Sequence, residues 1–207
     1  MNKKTNLVIF IKIETSGLPL KKSGYDSSFY KFTELDKYDS SRLIGISWSI
    51  CDFKGNQQTL RHYYIKPNGF SVTNSDIHGI TQKFLEKKGV DIKQVFNQLE
   101  TDLVDNIKVL VAHNMEFDYN IVMSEIHRLG NKNQLINKME KLEKACTAQQ
   151  TRDILKLPTK SVYGNSYKLP KLSELYEWCF KKTLTNDHDL ENNVIHLRDI
   201  FFHLLKN

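Results

Sequence analysis

Hydrophobic and polar positions divide this chain into short blocks. The first, Leu7-Val8-Ile9-Phe10-Ile11, is an uninterrupted apolar run that reads as a buried strand. It then changes character: Lys12 and Glu14 flank Ile13, and the period of two puts both on one face. Thr15-Ser16-Gly17-Leu18-Pro19 turns the chain away into a long polar surface loop from Leu20 to Ser41. Leu43 to Ile50 and Thr59 to Lys66 read as strands two and three, an antiparallel hairpin ended by Pro67-Asn68-Gly69. Ser75 to Thr81 is expected to be a loop leading into a short helix, with Thr81 as cap and Gly89 at its exit. From Asp91, the residues Ile92, Val95, Phe96, Leu99 and Leu103 form a helical stripe of core side chains. Val109 to His113 is a fourth strand, and Asn114 to Asp118 enters a helix that runs to about Leu129. Asn137 to Lys144 reads as helical, Ala145 to Ala148 as a short strand, and Gln149 to Leu157 as a helix broken by Pro158. Thr159 to Tyr167 reads as a loop. Leu172, Leu175, Tyr176 and Cys179 mark another helix, and a last one runs from about His188 to Leu205.

A three-strand meander followed by alternating strands and helices implies an α/β fold: a mixed sheet with helices on its faces, in one domain over residues 1–207. Composition changes this picture little. No apolar run approaches the roughly 18 residues of a membrane span. The basic start MNKKTN precedes a run too short for a signal-peptide core, so a cytoplasmic chain is expected. Cys51, Cys146 and Cys179 are widely spaced and lack metal-finger spacing, which suggests reduced thiols. The net charge of +6 admits a polyanionic partner, but lysines spread along the chain serve equally well as a solvated surface.

Three separated places put polar groups at element ends: Lys12, Glu14 and Thr15; His113, Asn114 and Asp118; and His188, Asp189 and Asn193. Asp118 falls in the first turn of its helix on the face of Val122 and Leu129, so it is expected to point inward. An inward carboxylate must be paired or bind a metal, unless it merely caps the helix. His113 or His188 taken alone is more often a hydrogen-bonded structural residue than a catalyst.

Together the three places resemble the DnaQ-like 3′→5′ exonucleases of the DEDDh type, a family that includes the DNA polymerase III epsilon subunit and RNase T. IETSGLP looks like the family's first motif; LIGISW, YIKPNGF and IHGIT look like its next two strands and the loop after them. VAHNMEFD is similar to its second motif, and His188 with the residue five further on to its third. The resemblance covers nearly the whole chain. It implies a ribonuclease H-like five-stranded sheet and metal-dependent phosphodiester hydrolysis at nucleic-acid 3′ ends, on DNA or RNA, with Mg2+ or Mn2+ as cofactor. It implies Glu14 and Asp118 as metal-binding catalytic carboxylates and His188 as general base. It further implies that Thr15, Ser16, Leu18, His78 and Asn114 contact the nucleotide.

Two positions depart from the pattern. Lys12 stands where the first motif has an aspartate, and Asn193 where the third does. Hard divalent cations need anionic oxygen ligands. Lys12 offers none, and at roughly 4 Å its charge repels a divalent ion by several kcal/mol at an effective dielectric near 20. The sequence therefore carries three expectations: an exonuclease with a displaced carboxylate such as Asp189; a weakened or inactive fold that still grips single-stranded 3′ ends; or a protein-interaction module with a vestigial cleft.

Overall fold

The computed structural model describes residues 5–23, 28–159, 167–184 and 188–206. Five strands form one sheet: β1 (Leu7–Thr15), β2 (Leu43–Asp52), β3 (Gln57–Tyr64), β4 (Ile107–Ala112) and β5 (Glu143–Cys146), in the order β3-β2-β1-β4-β5. β1 pairs antiparallel with β2 and parallel with β4; β2–β3 is antiparallel and β4–β5 parallel. The helices are α1 (Ser75–His78), α2 (Gln82–Lys88), α3 (Ile92–Asp102), α4 (Met115–Arg128), α5 (Asn133–Lys141), α6 (Thr147–Leu155), α7 (Leu172–Phe180) and α8 (Leu190–Leu204). No helix among the described residues is long and apolar enough to cross a membrane. All three cysteines are free.

β1 is buried on both faces, which is why it reads as a continuous apolar run. Ile9, Ile11 and Ile13 enter the larger core with Val95, Phe96 and Leu99 of α3 and Ile121 and Val122 of α4. The other face carries Val8, Phe10, Lys12 and Glu14, and α8 lies over it. Phe10 meets Phe201 edge-on at 5.3 Å, and Val194 and Leu197 complete that smaller core. The β2 partners of these four residues are Cys51, Ser49, Ser47 and Gly45, all small. A side chain on Gly45 would place its Cβ 2.6 Å from Leu190 Cδ1, so glycine there lets the start of α8 approach the sheet beside Glu14. Two further residues sit on the stripe past α8's apolar contacts, Lys12 and Glu14, and they face the mouth where β1 and β4 both end.

Several elements differ from the sequence expectation. Ser75 to His78 forms a single helical turn between two left-handed residues, Asn74 and Gly79. α5 starts earlier than expected because Leu135 and Met139, four apart, are its buried pair. β5 ends at Cys146 because Cys146 Sγ accepts the Gln149 N–H and caps α6, so Thr147 opens a helix rather than ending a strand. Asp189 caps α8, so His188 precedes the last helix. The segment from Leu20 to Ser41 holds a 3-10 turn (Leu35–Tyr38) in which Tyr38 is fully buried and donates to the Tyr30 carbonyl at 2.6 Å. Most of the expected Thr159–Tyr167 loop lies outside the described residues.

Candidate active site

The carboxyl ends of β1 and β4 open into a cleft of about 390 Å3 lined by Lys12, Glu14, Asn114, Phe117, Asp118 and Asn193, with the turn Leu169-Pro170-Lys171 as the far wall. Each of the three polar places of the sequence contributes to this one cavity, the third through Asn193. β1 supplies Lys12 and Glu14. The tight link from β4 into α4, through Asn114 in the left-handed conformation (φ 71), drops Asp118 into the first turn. The first turn of α8 supplies Asn193, which is buried.

Asp118 is 1% exposed. The cap position of α4 is Asn114, and Asp118 lies four residues further on, inside the helix. Lys12 Nζ stands 3.6 Å from Asp118 Oδ2, an ion pair longer than a hydrogen bond. Burial pushes the Asp118 carboxyl up to about 7; the Lys12 charge pulls it down, and the neighbouring Glu14 charge adds to the rise. Glu14 Oε1 accepts a hydrogen bond from His188 Nδ1 at 3.3 Å. His188 is exposed and also lines a second cleft of about 500 Å3 with Tyr64, His78, Gly79 and Phe84. It therefore stands between the two cavities.

His113 is structural. Its Nε2 faces the Pro170 carbonyl at 2.8 Å and must donate, which leaves Nδ1 to accept from the Thr147 hydroxyl at 2.9 Å. Burial, with the Lys12 charge second, holds its pKa down to about 4, so the ring is neutral. This chain of bonds ties β4, α6 and the Pro170 wall together. His78 plays a similar part: Nδ1 accepts the Ile80 N–H and Nε2 donates to the Thr73 carbonyl, both at 3.1 Å. The Thr15 hydroxyl donates to the Gly17 carbonyl at 2.7 Å and Ser16 Oγ accepts the Arg42 N–H at 2.9 Å, so both hydroxyls hold the turn. Leu18, on that turn, is 75% exposed.

Asp189 does not line this cleft. One carboxylate oxygen accepts the Asn192 N–H (3.1 Å) and the other the Asn192 side-chain amide (2.7 Å), and the residue lines a separate cavity with Tyr176 and His196. As the cap of α8 it is bonded to that helix's own first turn. The Pro170 wall and Phe117 line the cleft without having been singled out in the sequence. Nothing in the spacing of Leu169 to Leu172 says which strand ends it will face.

The profile of the family described as Exonuclease (RNase_T) matches residues 32–197. The chain belongs to the DnaQ-like exonuclease family. β1, with Lys12 and Glu14, lies ahead of the matched span. The exonuclease fold is equally plain in solved structures. Exonuclease I superposes with a TM-score of 0.72 at 14% identity, over 98% of this chain and 41% of that one. E. coli exonuclease I with a dT13 oligonucleotide gives 0.72 at 15%, and its zinc-bound complex with single-stranded DNA 0.71 at 14%, both with the same 98% and 41% coverage. The chain thus spans about two fifths of those proteins' length. No curated protein matches it in sequence.

Members of the family generally use divalent metal ions. The donor set here fits a pair of them poorly. The cleft offers two carboxylates, Glu14 and Asp118, and two amides, Asn114 and Asn193, and the Lys12 ammonium sits beside the buried carboxylate where a cation belongs. No group of three or more His, Cys, Asp or Glu side chains able to hold a metal occurs among the described residues.

Proposed function

We propose that this chain is an exonuclease-fold protein that binds single-stranded nucleic-acid 3′ ends and in which metal-dependent hydrolysis is weakened or lost. The observation that carries this reading is Lys12 Nζ at 3.6 Å from Asp118 Oδ2. A side-chain ammonium there supplies the positive charge that a metal would otherwise bring to a phosphate, but it cannot ionise a water as a metal does. Glu14, Asp118 and His188 are the family's catalytic set in this reading. Glu14 and His188 remain together at 3.3 Å, which favours retention of some proton-transfer capacity over complete loss of the site. Thr15, Ser16, Leu18, His78 and Asn114 shape the ground on which the terminal nucleotide rests. The excess of lysine and arginine over acid, net +6, suits a phosphate backbone.

The test is a nuclease assay on 3′-labelled single strands titrated with Mg2+ and Mn2+, run beside a binding measurement. We expect salt-dependent binding without degradation. Degradation that disappears in Glu14→Ala overturns the loss of hydrolysis, and absence of binding overturns the reading as a whole. The paired change Lys12→Asp with Asn193→Asp is expected to gain metal affinity by calorimetry. No gain shows that these two side chains do not share one site.

A further inference from the structure

The segment between β1 and β2 is built onto the cleft. Phe117, which lines the cavity beside Asp118, stacks against Phe29 at 6.0 Å. Phe29 forms an antiparallel bridge with Lys21, and the Lys22 N–H bonds the Ser28 carbonyl at 3.0 Å. The Lys21 ammonium lies over the Phe29 ring at 5.0 Å, and that of Lys22 lies 6.0 Å from the Tyr30 ring. Phe32 holds the base of this arm against Tyr119 and His127 of α4, at 5.9 and 5.4 Å. Lys37 also faces Tyr30, but its charge is spent on Asp36 at 2.6 Å. Lys21 and Lys22 are both exposed.

We propose that this arm continues the cleft as a track for the single strand upstream of its 3′ end. Lys21 and Lys22 contact backbone phosphates there, and the Phe29–Phe117 pair offers an aromatic surface against which a base packs. Alternating cations and aromatic faces is the chemistry that grips single strands without reading sequence. The track is continuous with the candidate site through Phe117, and its two lysines match the charge of the chain that leaves that site. The inference rests on the binding proposed above.

The experiment measures binding of an oligothymidylate length series, in the full chain and in Lys21→Ala/Lys22→Ala, over a range of salt. Lys108→Ala/Lys141→Ala serves as the charge-matched control, since those lysines flank a small cavity with Ile107, at the opposite end of the sheet. Two phosphate contacts in a single strand change the salt slope by about 1.4, which at about 0.1 M salt is roughly 25-fold in affinity. In the unchanged protein affinity rises with oligonucleotide length. In the arm variant that rise is lost, and the control keeps it. If arm variant and control behave alike, or if affinity in the unchanged protein does not rise with length, the track is wrong while 3′-end binding stands. If the unchanged protein binds none of the series, the binding proposal fails and the track with it.

Discussion

At the scale of single residues, Lys12 alters what its neighbours cost. A buried carboxylate without a counterion is expensive, and Asp118 is made tolerable by an ammonium 3.6 Å away, yet burial still outweighs that charge. With a folded pKa of about 7 against an ordinary 3.8, the native protein holds a proton that the unfolded chain has released over that interval. Stability from this group therefore falls as pH rises from about 4 to about 7, by on the order of a few kcal/mol. Asp118→Asn removes the falling limb. The variant is expected to gain stability relative to the unchanged protein between about pH 4 and pH 8. Urea unfolding at the two ends of that range checks this, and a pH-independent difference between the two proteins rules it out. The carboxylates and His188 were legible in the sequence as a set, because order and spacing single them out. From the sequence, Lys12 could pair with either Glu14 or Asp118. Which acid it meets depends on how β1 and α4 are set in space, and no spacing along the chain encodes that.

At the scale of elements, the cleft is held by buried polar ties between segments far apart in sequence. Glu125, in the last turn of α4, accepts from Arg42 Nε at 2.6 Å, from a second Arg42 nitrogen at 3.1 Å and from the Leu43 N–H at 3.2 Å. That bidentate pair fastens the helix carrying Asp118 to the start of β2, while Phe70 covers the guanidinium at 4.6 Å. Glu125→Ala leaves a mostly buried guanidinium and a buried N–H without their acceptor. It is expected to cost about 3 kcal/mol, read as a lowered unfolding midpoint. A loss under about 0.5 kcal/mol would place this tie among ordinary surface pairs. Strands β1 and β2 were readable as apolar runs because both their faces are buried, and helices α3 and α8 from periodicity because each buries a stripe. The ends were not. Cys146 and Asp189 turn cap where the apolar pattern alone continues an element, and a cap is a local hydrogen bond rather than a period. The ties through Glu125 and His113 were equally hidden, since a polar residue inside a helix or at a strand end reads as surface until its partner is seen.

At the scale of the molecule, the mixed sheet puts the ends of two parallel strands side by side, and everything polar in the candidate site gathers at that seam. The sheet was foreseeable as a meander followed by alternating elements. The role of the segment from Leu20 to Ser41 was not, because its anchoring aromatics carry no regular spacing and find their partners on α4. The pairing of Lys12 with Asp118 has a consequence for how this protein responds to its surroundings. A relative that grips its substrate through bound cations takes part of its affinity from the supply of those ions, and a chelator strips it. An ammonium fixed in the chain cannot be withdrawn. Oligonucleotide affinity measured at constant ionic strength is therefore expected to be the same in EDTA as in millimolar magnesium, and a severalfold drop in EDTA would mean that a cation is still part of the grip. The proposed 3′-end grip thus varies with ionic strength but not with the supply of divalent ions, because the Lys12 ammonium is part of the chain itself.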